Sequence, residues 1–371
     1  MKILIVDISG RVDIYDDALF GAIHSIEKDS KLLYPGHGLL SLIPRKYKAS
    51  ESLIKRGLKV AEILMNYFYL CILLVFSHTR IIHFEWLPLM DFTAVEIHIL
   101  KVVKLLSPRS KIVLTIHNLY PHNMSSESKA KFNERFRKAC SLVDEFIVHT
   151  KVTKNDVIEE FDLNAKKVNV CHHGVFEPEG YHAISKIKDD KLHVLQFGLQ
   201  SYYKGTDIFV KAICSLPDSY KSRIAARVVG AIDKKFLDEL QAINKNNDIV
   251  FIPRYLEKQE LYKEIDNCDV IILPYRAISQ SGVLLLSVYF GKMIICSNLP
   301  SFVETIKGDK ENESVNPFFF NTEDVNSLKE LLQKYIDGLV NYKDIQSHLN
   351  YLKDLYSWSN SAKKTIEVYY K

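Results

Sequence analysis

Short, almost wholly apolar runs recur along the chain, and between them lie longer stretches whose apolar positions repeat every three to four residues. That alternation predicts parallel strands covered on both faces by helices. In the first half the runs fall at 2–8, 80–84, 111–116, 145–150 and 168–171, with helices at about 17–28, 91–106 and 126–142. A polar stretch, 179–191, breaks the pattern and reads as a structureless linker. The alternation then restarts, with runs at 192–197, 227–230, 248–253, 270–275 and 293–298 and helices between them. The expected layout is a domain over 1–178, the linker, a second domain over 192–352, and a helical segment over 353–371. The last helix, about 361–370, is expected to pack back on the first domain.

A chain of 371 residues suits two α/β domains better than one core. An apolar fraction of 47% and a charged fraction of 25% are those of a globular protein. The net charge of +4 fits anionic small ligands or an anionic membrane surface, and is too small to argue for nucleic acid. The six cysteines are scattered singly, with no C-x-x-C pair, and read as small buried apolar residues in a reducing compartment. The opening MKILIVDIS is a first strand, not a leader, so a cytoplasmic location is expected.

In an open parallel sheet, ligands bind at the carboxyl ends of the strands. The polar residues standing there are therefore the candidate site. After 270–275 come Ser279, Gln280, Ser281 and Gly282, where a helix begins. Ser is a preferred N-cap, Gly lets a ligand approach the backbone, and the free N–H groups of a helix N-terminus bind anions. Gly198 through Gly205, containing Lys204, follows 192–197, and Arg254 follows 248–253. A lysine, an arginine and a helix N-terminus on one edge suit a diphosphate. Glu304 is placed in the loop or first turn after 293–298. In the first domain, Glu85 follows one strand, and His117 and His122 follow another. Gly10, after the first strand, reads as a turn residue near any cleft, and His173 marks the exit from the domain. There is no G-x-G-x-x-G, so a dinucleotide fingerprint is absent.

Residues 45–59 carry six basic residues against one acid, and 60–76 is strongly apolar but contains Glu62 and Asn66. This reads as too short and too interrupted to span a membrane. Two readings stand side by side: a core helix with a solvated basic approach, or a surface over 45–76 that rests on an anionic leaflet.

Taken together, HFEWLPL (83–89), TIHNLYPHN (115–123), HHGVF (172–176), FGLQSYYKG (197–205), the run 252–276, SGVLLLSVYFGK (281–292) and YSW (356–358) resemble the GT-B glycosyltransferases of the group 1, or family 4, type. The resemblance extends over almost the whole chain. It implies two Rossmann-like parallel-sheet domains facing across a cleft, with a nucleoside-diphosphate sugar (UDP or GDP) held mainly by the second. By that likeness Lys204, Gly205, Arg254, Ser281 and Gly282 would meet the donor diphosphate. Gly198, Tyr275, Gln280 and Glu304 would complete the donor site, and His117 would approach the transferring sugar. His173 and Gly10 would lie at the interdomain cleft. The likeness implies a hexosyltransferase with no metal or other cofactor, acting on a growing glycan; the basic and apolar stretch over 45–76 adds the expectation of a lipid-carried glycan at the inner face of the plasma membrane. Retention is the expected outcome; inversion would need a base among Glu85, Asp91, His117 and His122. Leu199 and Leu286 depart from the family, standing where an Arg and a Glu are common, and Ile278 stands at the position of the first paired Glu. They keep two alternatives open, a non-catalytic GT-B-like nucleotide- or glycan-binding subunit and a GT-B nucleotide-sugar epimerase.

Overall fold

The computed structural model describes residues 2–11, 13–42, 53–120, 126–178, 180–182, 189–310 and 318–371. The chain divides into two compact units, one of Met1–Gly174 with Trp358–Lys371, the other of Val175–Ser357. The divisions thus fall after Gly174 and after Ser357. Val175 already belongs to the second unit, where its N–H donates to the Tyr356 carbonyl at 2.7 Å. Part of the expected linker is also tied down: Tyr181 packs on Tyr262 and Phe290 and donates to Asp266.

The first unit is built on seven parallel strands: β1 (Ile3–Val6), β2 (Ser30–Pro35), β3 (Gly38–Leu39), β4 (Ile81–Phe84), β5 (Lys111–Thr115), β6 (Glu145–Val148) and β7 (Val168–Val170). Their order is β3-β2-β1-β4-β5-β6-β7. The chain leaves β1 in one direction and later returns on its other side at β4, so the topological switch lies between those two strands. A crevice for ligand is expected at that point. The strands β1 and β4 are buried at every residue, as a sheet covered on both faces requires. The last helix, Trp358–Tyr370, packs against Asp13–Ile26 in this unit, and Tyr369 reaches His83 with its hydroxyl at 2.7 Å.

The second unit holds β8 (Leu192–Phe197), β9 (Ile224–Val229), β10 (Ile249–Ile252), β11 (Val270–Leu273), β12 (Met293–Ser297) and β13 (Phe319–Phe320). All pair in parallel, in the order β10-β9-β8-β11-β12-β13. The switch here lies between β8 and β11. The expected helix before Gly291 is Gly282–Tyr289.

The apolar stretch after 59 is not as short as its composition suggested. It belongs to a 24-residue helix, Leu53–Phe76. Glu62 and Asn66 do not interrupt it, because both turn inward. Glu62 accepts from the Leu42 N–H at 2.7 Å, and Asn66 exchanges two hydrogen bonds with the Leu40 backbone. Ile63, Tyr67, Leu70 and Leu74 share that buried face. The opposite face exposes Leu64, Met65, Phe68, Ile72, Val75 and Phe76, with Phe68 at 69% and Phe76 at 84%. By length and composition the span Lys55–Phe76 could cross a membrane, and one third of it is buried in the protein. A half-buried helix of this kind also fits a soluble core with one greasy face.

Candidate active site

At the second unit's switch point, the loop after β8 is shaped by glycines. Gly198 has φ +102°, and a Cβ there would lie 3.2 Å from the Lys204 ammonium. Gly205 has φ +63°, and a Cβ there would meet the Pro274 carbonyl oxygen at 1.8 Å, so only glycine fits. This close approach draws the loop after β8 against the end of β11. Buried amides hold it: Gln196 donates to the Lys204 carbonyl, Thr206 donates to Gln200, and Gln200 donates to the Gly198 carbonyl. No sequence pattern pointed to Gln196 or Gln200. Both look like ordinary polar residues until the loop closes over them.

Lys204 is therefore carried inward. It is buried, its ammonium lies 5.3 Å from the centre of the Tyr275 ring, and burial alone pushes its pKa down to about 8. A desolvated ammonium with no acid among the described residues pulling against that loss is poised to gain an anionic partner. Beyond Tyr275, itself fully buried, Ser281 caps the helix Gly282–Tyr289, its Oγ accepting from the Leu284 N–H at 3.1 Å. The N-cap role expected for Ser281 is what the structure has. Gly282 is the first helical residue, and Gln280 is half-buried just before it.

Arg254 stands apart from this group. Its strand, β10, lies two positions out from β8, about 10 Å at ordinary strand spacing. Its guanidinium is exposed and grips Glu260, with Nη1 at 2.9 Å from Oε2. Glu304 is in the second turn of the helix Pro300–Lys307, half-buried, rather than in a loop or first turn. Arg276, which pattern reading passed over, clamps the loop. It makes a bidentate pair with Asp207 at 2.9 and 3.0 Å, bonds the Tyr202 carbonyl and stacks on the Tyr202 ring. Leu199 is 65% exposed, so no side-chain cation occupies that position.

In the first unit the strand ends bring together more than was foreseen. Glu85 follows β4, His117 β5, His149 β6 and His173 β7, and all four are buried. Tyr15 sits in their midst, its ring 4.9, 5.5 and 5.0 Å from those of His117, His149 and His173. Trp86 stacks on His117, and Trp358 contacts His173. Among these, His83, His149 and Tyr15 were missed. A lone histidine inside an apolar run carries no signal that its neighbours on adjacent strands are also histidines. Burial drives the imidazoles toward the neutral form, with His117 lowered to about 4 and His149 to about 3. Gly10 closes the turn after β1 with φ +63°. Asp91 is held by Arg11 at 3.2 Å. His122 lies outside the described residues. Among the described residues, no three His, Cys, Asp or Glu side chains are grouped to hold a metal ion.

Residues 177–346, nearly all of the second unit, match the family model described as "Glycosyl transferases group 1". The match takes in just under half of the whole chain. The whole chain has the GT-B fold. It superposes on HepE from Anabaena, solved in complex with UDP, at 14% identity over 99% of both chains and a TM-score of 0.69. It also superposes on sucrose-phosphate synthase from Thermosynechococcus elongatus, at 13% identity over 99% and 98% of the two chains and a TM-score of 0.73. Among curated relatives, a GDP-mannose:glycolipid 4-beta-D-mannosyltransferase from Xanthomonas campestris pv. campestris is 27% identical over 104 residues. That match takes in 28% of this chain and spans 29% of the relative's length, less than a third.

Proposed function

We propose that this protein is a glycosyltransferase that moves a sugar from a nucleoside-diphosphate sugar to a growing glycan. The observation that carries the reading is the switch point of the second unit. A buried, unneutralised ammonium, Lys204, and the Ser281-capped helix N-terminus both stand there, with a backbone pared to glycine between them. Departure of a nucleoside diphosphate needs charge stabilised on its phosphates, and these groups offer a cation and N–H donors already in place. Gly205, Gly282, Gly198, Tyr275, Gln280 and Glu304 complete this donor site in the proposal, with Arg254 as a second cation once it releases Glu260. No metal is required in this scheme.

Both UDP and GDP are candidate nucleotides, since HepE is solved with UDP and the mannosyltransferase is named for GDP-mannose. Calorimetric titration of UDP, GDP and their sugars into wild type and Lys204→Ala tests the site. Binding of one nucleotide, weakened at least about tenfold by the substitution, supports it, since a charge-assisted contact carries at least about 1.4 kcal/mol. Binding unaffected by the substitution overturns the placement. Turnover of the bound donor in the presence of a chelator tests metal independence.

The acceptor is proposed to be lipid-linked, and the site of action the inner face of the plasma membrane. The support is the exposed apolar face of Leu53–Phe76, beside a sequence rich in lysine and arginine. Flotation with anionic vesicles, lost when Phe68 and Phe76 become Ser, would support it; no flotation of wild type would remove it. One observation favours the reading of a non-catalytic subunit: Leu199, at the position where the family resemblance implies an Arg, is exposed. Any turnover of the bound donor dismisses that reading, and release of an epimerised nucleotide sugar would favour the epimerase instead.

A further inference from the structure

The buried cluster of the first unit leaves one acid unaccounted for. Glu85 is wholly buried, and neither carboxyl oxygen receives a well-aligned hydrogen bond. Oε1 lies 3.4 Å from His83 Nδ1, and Oε2 lies 3.3 Å from His117 Nε2. Proton positions in the adjoining chain follow from what each partner can do. His149 Nδ1 lies 3.0 Å from the Cys171 carbonyl oxygen, which only accepts, so Nδ1 carries the proton. A neutral His149 then has a bare Nε2. That nitrogen is 3.1 Å from His117 Nδ1, which must therefore donate. A neutral His117 in turn has a bare Nε2, facing Glu85 Oε2. Two lone pairs cannot sit at that distance in a dry interior without a proton between them.

We propose that Glu85 is held as the neutral acid, and that Glu85 and His149 are positioning residues that lock His117 as its neutral Nδ1–H tautomer. Burial raises the Glu85 pKa more than His83 and the Thr115 hydroxyl lower it, and Asp7 raises it further. His117 also faces the Tyr15 edge and the Trp86 face, which carry no charge, the buried Asp7, whose charge raises its pKa, and the Glu85 backbone carbonyl, which raises it further. Both His117 nitrogens are thus committed inward, and Glu85 is removed from the candidates for general base.

Two spectroscopic measurements test the protonation states without any activity. In 15N-histidine-labelled protein at pH 7, His117 and His149 should show protonated Nδ1 and bare Nε2. The infrared difference between wild type and Glu85→Gln should show the carbonyl band of one protonated carboxylic acid. Gln mimics the neutral acid, so E85Q should keep the His117 tautomer of wild type. His149→Asn can still donate to Cys171 but cannot reach His117, and should leave the His117 tautomer mixed in a folded protein. Absence of the acid band, a protonated Nε2 on His117, or a changed His117 tautomer in E85Q with the fold intact would each overturn the proposal. If wild type transfers no sugar, the spectra still decide the matter.

Discussion

At the carboxyl edge of the first unit, imidazoles and an acid are buried against one another in neutral form. At the corresponding edge of the second, the Lys204 ammonium is buried, with no acid among the described residues to offset its desolvation. The first edge is made of side chains on neighbouring strands, and its backbone is unremarkable. The second is made by the backbone, with Gly198 and Gly205 clearing space and helix Gly282–Tyr289 presenting its N–H groups. The same arrangement of strands thus supports two designs. One should be sensitive to pH and the other to a single methyl group, and each expectation can be broken separately.

The largest effect is expected from acid on the first unit. His83, His117, His149 and His173 all have lowered values when folded, so they stabilise the unit above the ordinary histidine pKa of 6.5. That contribution is lost as pH falls toward the folded values. Glu85, Asp91 and Glu96, the last at about 7, are raised, and work the other way: their contribution is present at low pH and lost as pH rises. Between pH 6.5 and 4.5 three acids partly offset four imidazoles. Once pH is below the ordinary carboxylate values the acids are protonated in both states, and the contribution of the imidazoles is then lost without offset. The two tryptophans, Trp86 and Trp358, both lie in this unit. Urea unfolding followed by their fluorescence should show a midpoint that declines gently to pH 4.5 and steeply below. A midpoint unchanged down to pH 4 would show that the cluster is not neutral and buried in solution. Hydrogen exchange of second-unit peptides should not follow the same steep decline.

Next in size is Gly205→Ala. Its added methyl would meet the Pro274 oxygen at 1.8 Å, and its φ of +63° strains any side chain. A loss of about 3–5 kcal/mol is expected in the second unit, together with nucleotide binding. Thermal unfolding within a degree or two of wild type would mean that the loop is not held against β11.

Smaller again is the pH dependence of nucleotide affinity. Phosphate requires the charged form of Lys204, whose value in the free protein is lowered to about 8. Affinity should be greatest below pH 8 and fall up to about tenfold per pH unit above it, until the shift is exhausted. In Lys204→Ala the dependence should vanish. A dependence that survives in the variant would move the cation elsewhere, with Arg254 first in line.

Both sheets were legible because apolar runs covered on both faces have a plain signature, and so was the Ser281 cap, which depends on local spacing. The short β2 and β3 were not, since Pro35, Gly36 and Gly38 break any apolar run there. The length of the helix Leu53–Phe76 was misjudged for a related reason. Glu62 and Asn66 look like interruptions in one dimension and become buried anchors for the Leu40 and Leu42 backbone in three. At the sites, His117 stood out because it follows a strand directly, and Lys204 because it pairs with Gly205 in a strand-to-helix loop. Gln196, Gln200, Arg276 and His149 did not. Their partners are set by the order of strands in the sheet, which a single sequence does not display.

The smallest effect expected is at Gly282, and it separates the two meanings a glycine can have at the donor edge. Gly205 is required by the backbone. Gly282 is helical, and a Cβ there would make only an ordinary contact with Phe176, at 3.6 Å. Gly282→Ala should therefore change stability by no more than about 1 kcal/mol, in the stabilising direction if helix propensity and unfolded-state entropy dominate. If the glycine is there to let a phosphate approach the helix N-terminus, the same variant should weaken nucleotide binding while leaving the fold intact. Unfolding and calorimetry on this one variant thus distinguish a glycine kept for ligand from a glycine of no consequence. Unchanged affinity would withdraw Gly282 from the donor site and leave the anion to Lys204 and to the N–H groups further into the helix.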